Sequence, residues 1–121
     1  MKKQYFSYKQ TIDFLQQSMN EHPDLIKVEN IGDTWESRPI MLATISLDVE
    51  NAHKKPALLY TGTIHAREWI GIELANTFIK YIIDNYKFNP KLQEALTRNT
   101  LYIVPCLTPE GLEYSRTYFS F

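Results

Sequence analysis

The sequence has a single cysteine, no excess of basic residues and no long hydrophobic run. Because Cys106 is the only cysteine, no intrachain disulfide can form, which permits a reducing compartment. The formal net charge of −1 argues against nucleic-acid and membrane-surface partners, which select clustered Lys and Arg. No run approaches the roughly 20 apolar residues of a membrane span. The basic start lacks a following apolar segment, so we expect no signal peptide and, if Met1 is the true start, a cytoplasmic protein.

The 121 residues, of which 44% are hydrophobic, fit one domain with its own core. Apolar spacing alternates between the periods of helices and strands, which predicts an α/β fold. The predicted elements are a helix over 7–19 capped by Ser7, paired strands over 25–31 and 39–47, a polar connection over 48–55, a strand over 57–60, helices over 68–86 and 90–97, a strand over 101–104, and a turn or short helix from Pro109.

The segment ALLYTGTIHAREWI, residues 57–70, joins a charge-free strand to the longest helix. The run Ala57–Tyr60 predicts a strand that is buried on both faces. His65, Arg67 and Glu68 follow it within a few residues, after the turn at Gly62. Polar groups at the junction of a buried strand and a helix lie where open α/β sheets bind ligands.

An imidazole and a carboxylate are both good zinc ligands, and at i and i+3 on a helical turn His65 and Glu68 would face one ion. Arg67 would point elsewhere and offer a planar fork to a carboxylate or carbonyl oxygen. Spacing alone leaves a second interpretation open, and favours it. Glu68 would then be a first-turn acid that complements the helix dipole, with His65 beside it as a structural residue.

The wider string Gly62-x-x-His65-Ala66-Arg67-Glu68-Trp69-Ile70 resembles the signature of the zinc carboxypeptidases, the family of carboxypeptidases A, B and T. The family's opening, a helix followed by "hPDL" and a strand ending in "IG", is similar to residues 8–32. The family's "xEGRPI" turn resembles residues 35–40, with Ser37 where glycine is usual. Residues 103–111 resemble "hhPxxNPDG", from which Thr108 and Glu110 depart. The resemblance covers roughly residues 8–116.

The resemblance implies a zinc-carboxypeptidase fold of the phosphorylase/hydrolase-like type, with helices packed on a central mixed sheet. Residues 1–121 would form the N-terminal portion of a peptidase catalytic domain, a single unit truncated at its C-terminus. The implied cofactor is zinc, with His65 and Glu68 as the first two metal ligands and Arg67 as a substrate-binding residue. The implied reaction releases a C-terminal residue from a peptide.

The third zinc ligand, the general base and the specificity pocket would lie beyond Phe121. We therefore expect no catalytic residue within this chain and no appreciable activity from it alone. Truncation would also expose a strand edge and an apolar helix face, from which we expect self-association. Three alternatives stay open: a catalytically dead peptide-binding module, a cell-wall peptide amidase or carboxypeptidase of the same family, and a small α/β interaction domain.

Other polar or reactive residues are assigned structural roles. His22 and His53 are expected to be surface histidines, because neither matches a ligand position of the family. Glu73 is expected to be a solvated acid on the long helix, and Cys106 a buried, inert thiol. Trp69 is expected to brace the turn that carries the ligands.

Overall fold

The computed structural model describes residues 5–118 and shows a four-stranded mixed sheet accompanied by four α-helices. The elements in chain order are α1 (Tyr8–Glu21), β1 (Ile26–Asp33), β2 (Pro39–Ile45), a 3-10 helix (Val49–Lys54), β3 (Ala57–Thr61), α2 (Trp69–Asn85), α3 (Pro90–Arg98), β4 (Thr100–Val104) and α4 (Pro109–Tyr118). This confirms the α/β class with helices packed on a mixed sheet. The expectations for the chain ends fall partly on residues 1–4 and 119–121, which lie outside the described range.

Helix α1 begins after Ser7, as the sequence predicts. The Ser7 hydroxyl accepts from the Gln10 N–H at 3.0 Å, and the Gln10 side chain accepts from the Ser7 N–H at 2.8 Å, which forms a capping box. The Glu113 carboxylate on α4 accepts from the Tyr8 N–H at 2.9 Å. The start of α1 is therefore fixed locally by its cap and over a long range by α4.

The strand order in the sheet is β1-β2-β4-β3. Strands β1 and β2 form the predicted antiparallel pair, with a register shift between Asn30 and Gly32. Strand β2 is also antiparallel to β4, whereas β3 and β4 run parallel. The carboxyl ends of β3 and β4 thus lie side by side at one end of the sheet.

One face of the sheet packs against the helices to form the main core. Alternate residues of β1, β2 and β4 supply the sheet side of this cluster, and residues of α1, α2 and α3 supply the other side. Its fully buried large side chains are Leu15, Leu25, Ile26, Ile45, Ile79, Ile82 and Ile103. Burial of each of these aliphatic side chains stabilises the fold by roughly 1.5–3 kcal/mol.

Strand β3 forms where the charge-free run predicts it, but the predicted burial on both faces is wrong. Leu58 and Leu59 expose 64% and 62% of their surface. The two leucines are exposed because β3 is an edge strand of the described sheet and α2 covers only part of one of its faces. An apolar run specifies a strand, whereas its burial depends on what packs over it.

Three further details differ from the predictions. Helix α2 begins at Trp69, with Glu68 as its N-cap residue, and the polar connection over 48–55 contains the 3-10 helix. Glu73 is not solvated, since it is only 6% exposed and its carboxylate accepts from the Phe6 N–H. Within residues 5–118, no helix combines the length and apolar character that crossing a membrane requires.

The expectations for Cys106 and His53 are met, whereas His22 is less exposed than a surface histidine. Cys106 is buried, and burial raises the pKa of its thiol to about 11, so it carries almost no thiolate at neutral pH. His53 is exposed, and His22 is half-buried with its ring 6.0 Å from that of Tyr86. Neither histidine lies among the residues of the site turn described below.

Candidate metal centre

The candidate site lies at the carboxyl ends of the parallel strands β3 and β4. Gly62 follows β3 directly, and its N–H donates to Val104 O at 2.8 Å while its carbonyl accepts from the Leu107 N–H at 3.1 Å. A Cβ on this residue would lie 2.5 Å from Pro105 O, so only glycine fits between the two strand ends. This close approach fixes where the chain leaves the sheet.

His65 and Glu68 are neighbours on the turn that follows, residues 63–68, which we call the site turn. His65 Nδ1 lies 2.8 Å from Glu68 Oε1, and the His65 N–H donates to Glu68 Oε2 at 3.2 Å. The prediction that these residues lie on a helical turn is wrong, because they form a separate turn ahead of α2. The Glu68 N–H donates to His65 O at 3.0 Å and closes this turn. The i, i+3 spacing still brings the two side chains together.

The electrostatics of this pair favour an anionic carboxylate. The hydrogen bond from the His65 imidazole, reinforced by the His65 main-chain N–H, holds the pKa of Glu68 below its usual range. Because the ionised carboxylate only accepts, the imidazole donates through Nδ1. Both side chains are open to solvent, with 74% and 47% of their surfaces exposed. The pair is therefore accessible to an ion or a ligand from outside.

The site turn is held against the loop after β4. The Thr108 hydroxyl donates to Thr63 O at 2.7 Å, and the Thr63 hydroxyl donates to Glu68 O at 3.2 Å. Thr63 itself has a φ of 54°, a left-handed conformation that is unusual for a β-branched residue and persists only where its surroundings enforce it. These contacts fix both ends of the short segment that carries the histidine and the glutamate.

Helix α4 supports the middle of the site turn. The Trp69 indole N–H donates to the Ser115 hydroxyl at 2.7 Å, and that hydroxyl lies 3.0 Å from Ala66 O. Gly111 allows this close packing, because a Cβ there would lie 2.8 Å from the Ala66 Cβ. Trp69 therefore braces the turn, as predicted, through a hydroxyl on α4.

Glu110 connects the first turn of α4 to the hairpin between β1 and β2. Partial desolvation acts to raise the pKa of its carboxyl, but hydrogen bonds from Thr34 and the Glu36 N–H, with the nearby Arg38 guanidinium, hold that pKa below its usual range. The site turn, α4 and the hairpin thus form one connected unit.

The donor set fits zinc in part. One imidazole nitrogen and one carboxylate within hydrogen-bonding distance could share a single ion, with the imidazole proton moved to Nε2. Among residues 5–118, however, no three His, Cys, Asp or Glu side chains are grouped closely enough to hold a metal ion. Arg67, between the two donors, is exposed and free to reach a ligand.

Sequence reasoning found both donors but missed most of their supports. Thr63, Thr108 and Ser115 are common polar residues whose spacing carries no signal, and their contacts exist only because the fold places α4 beside the site turn. The prediction that Glu73 is solvated is wrong for a similar reason, because the segment before α1 lies against this residue and the Phe6 N–H donates to its carboxylate. The apolar neighbours of Glu73 on α2 were the one available indication that it is buried.

Comparison with known proteins gives a consistent result. The family profile described as zinc carboxypeptidase matches residues 11–120. A zinc carboxypeptidase of Saccharothrix mutabilis subsp. capreolus is 27% identical over 117 residues, which are 97% of this chain and 27% of that protein. Mouse carboxypeptidase A6 is 30% identical over 117 residues, which are 97% of this chain and 26% of that protein.

Solved structures show the same likeness in the fold. Bovine thrombin-activatable fibrinolysis inhibitor, solved in complex with tick carboxypeptidase inhibitor, superposes with a TM-score of 0.80 at 25% identity. The match covers 95% of this chain and 35% of that one. The chain therefore spans about a quarter to a third of the length of these relatives.

Proposed function

Because the chain belongs to the zinc carboxypeptidase family, we propose that it forms the N-terminal portion of a zinc-dependent carboxypeptidase that releases the C-terminal residue of a peptide. The observation that carries this proposal is the His65 Nδ1–Glu68 Oε1 pair at 2.8 Å, presented to solvent on a braced turn. A surface acid that serves only a helix dipole needs neither a histidine partner nor such support.

Each residue of the site turn has a role in this proposal. His65 and Glu68 would hold the ion, and Arg67 would bind an anionic or carbonyl oxygen of the substrate through its guanidinium. Zinc, when bound, supplies Lewis-acid polarisation of the substrate carbonyl and a bound water of lowered pKa. Thr63, Thr108 and Ser115 would keep the two donors oriented through the main chain of the turn.

We further propose that the 121-residue chain is inactive alone. Catalytic zinc sites in proteins use three protein ligands and leave a position open for water or substrate. The described residues bring two together. A peptidase assay of the chain should show no turnover above the background, and turnover that is lost in Glu68→Gln would contradict this proposal.

Zinc binding measured by isothermal titration tests the site itself. A complete four-ligand structural site is worth about 10–16 kcal/mol, so half of the ligand set should give a dissociation constant between roughly 1 µM and 0.2 mM. His65→Ala and Glu68→Gln should each abolish this one-to-one binding. His53→Ala removes another exposed histidine, outside the site, and should leave zinc binding unchanged.

The outcomes separate the alternatives. Binding that resists His65→Ala, or no binding at all, would leave a structural α/β interaction domain. Much tighter binding that is lost in His65→Ala would mean that a third ligand is supplied within the preparation, contrary to the two-donor site. Binding in the expected range, without turnover, supports a metal site that needs further residues of a longer protein.

A further inference from the structure

A groove lies between α1 and α2, away from the site turn. It is lined by residues within the ranges 6–21 and 76–84, and we call it the α1–α2 groove. The groove encloses about 320 Å³, which is the lower end of the range for small-molecule sites and far more than the roughly 30 Å³ of one water. Its walls and floor come from this chain, so a longer protein is not needed to form them.

The floor of the α1–α2 groove contains a buried acceptor without a hydrogen bond. Asn76 is only 1% exposed, and its Oδ1 has no partner among the described residues. Its Nδ2 donates to Thr11 Oγ1 at 3.0 Å, and the Thr11 hydroxyl in turn donates to Ser7 O at 3.0 Å. Because the Thr11 oxygen can then only accept, the amide must turn its NH2 group towards Thr11. Thr11 does not line the groove, so the end of the amide that is left to face the groove is Oδ1.

Ser18 adds a second acceptor to the same floor. The side chain is buried, and its hydroxyl donates to Phe14 O at 2.7 Å, so the lone pairs of Oγ are what it can still offer. A buried acceptor that lacks a partner costs free energy, which a donor on a ligand recovers. The group that complements this floor is therefore a hydrogen-bond donor.

The rim of the groove favours a donor that carries a positive charge. Its charged residues are Glu21, Lys80 and Asp84, which give a net charge of −1. The Lys80 ammonium is already paired, because it donates to the Asp84 carboxylate at 2.8 Å. The Glu21 carboxylate accepts at 2.8 Å from the neutral Gln17 amide. The rim therefore attracts an ammonium more than a carboxylate.

Phe6 and Phe14 give the groove an aromatic wall. Their ring centroids lie 6.4 Å apart, and the ring planes are tilted by 49°. Aromatic rings attract a cation over their faces and pack edge-to-face against another ring. A ligand with an ammonium group on a short aromatic body would meet both the wall and the floor.

We propose that the α1–α2 groove binds a small arylalkylamine in its protonated form. The ammonium donates to Asn76 Oδ1, with Ser18 Oγ as a second acceptor and the Glu21 carboxylate on the rim. The ring of the ligand packs against Phe6 and Phe14. This site is separate from the His65–Glu68 pair, and its existence does not depend on the proposed peptidase function.

Titration with phenethylammonium, followed by the amide chemical shifts of the chain in NMR spectra, tests the proposal. A ligand of this size should bind with a dissociation constant on the order of 1 mM and shift the residues around the groove. Phenethyl alcohol keeps the shape and a donor but lacks the charge, and should bind about 5-fold more weakly. Hydrocinnamate offers acceptors only and should not bind. Nα-acetyl-lysine methylamide has the ammonium without the ring and should bind more weakly than phenethylammonium.

Variants test the individual contacts. Asn76→Leu removes the acceptor at similar volume and should weaken phenethylammonium binding by about 10-fold. Glu21→Gln removes the rim charge and should weaken it by about 3-fold. Because Glu21 is exposed, this second variant keeps the test valid if Asn76→Leu does not fold. The matched control is Glu94→Gln, which removes an exposed acid of α3 outside the groove and should leave binding unchanged.

Several results would overturn the proposal. They are the absence of shifts around the groove, equal affinity for phenethyl alcohol, and tighter binding of hydrocinnamate or of the lysine derivative. Equal effects of Glu21→Gln and Glu94→Gln, or wild-type affinity in a folded Asn76→Leu variant, would overturn it as well. Zinc binding at His65 and Glu68 is measured in a separate titration, so the failure of either site is distinguishable from the failure of the other.

Discussion

At Gly62 the chain passes between two main-chain oxygens on its way from β3 to the site turn. A Cβ at this position would lie 2.5 Å from Pro105 O and 2.9 Å from Gly71 O. Close carbon–oxygen contacts in proteins are about 3.3 Å or longer, so the methyl group of Gly62→Ala would overlap by up to about 0.8 Å. Neither oxygen moves freely, because Gly71 O accepts from the Tyr60 hydroxyl at 3.0 Å and Pro105 is buried.

Overpacking of this kind typically costs about 1–3 kcal/mol, and two rigid neighbours place Gly62→Ala near 3 kcal/mol. For a domain of this size that corresponds to a melting temperature lower by roughly 10 °C. Urea unfolding followed by circular dichroism measures the change, at one fixed protein concentration because association would also shift the midpoint. The same displacement of the site turn should weaken zinc binding.

The control is Gly32→Ala. A Cβ on Gly32 meets no atom within 4 Å, so this variant should unfold within about 0.5 kcal/mol of the wild type. The reasoning about the strand junction would be refuted if Gly62→Ala unfolded like Gly32→Ala. It would equally be refuted if Gly62→Ala lost stability but bound zinc as tightly as the wild type.

Two further predictions concern buried groups away from the site turn. Glu73→Ala leaves the Phe6 N–H without its acceptor and should lower the free energy of unfolding by about 1–3 kcal/mol, whereas Glu94→Ala, which removes an exposed ion pair, should change it by less than about 0.5 kcal/mol in the same urea titration. Burial raises the pKa of the Cys106 thiol from 9.0 to about 11. The stability that the protonated, buried thiol contributes is therefore complete below pH 9 and is lost as pH rises through 11. Between pH 9 and 11 the free energy of unfolding of the wild type should fall by roughly 2–3 kcal/mol more than that of Cys106→Ala. Parallel profiles of unfolding free energy against pH for the two proteins would contradict this.

The sequence predicts the elements of this fold well where local chemistry decides. Ser7 begins α1 because its hydroxyl and the Gln10 side chain form a capping box, which needs only neighbouring residues. Asn89 and Pro90 begin α3 for the same kind of reason. The burial of β3 could not be predicted, because Leu58 and Leu59 have the side chains of a core strand at the edge of the described sheet.

The site shows the same division between local and distant causes. The proximity of His65 and Glu68 follows from their spacing, which is equivalent in a helical turn and in the observed β-turn. The assignment of the pair to zinc came from the family resemblance, since the spacing alone favoured a structural role. The bracing of the turn by Ser115 depends on a helix that begins 41 residues after Glu68 and could not be predicted from either segment alone.

Thr108 and Glu110 depart from the asparagine and aspartate of the family pattern, and the departures bear on whether the chain retains an enzyme's architecture. Both residues occupy supporting positions. Thr108 holds the left-handed Thr63 by its hydroxyl, and Glu110 accepts from the hairpin between β1 and β2. Neither departure removes a donor of the proposed metal site. Thr108 ties the loop after β4 to the turn that carries His65 and Glu68, so a metal site on that turn is compatible with both departures from the family pattern.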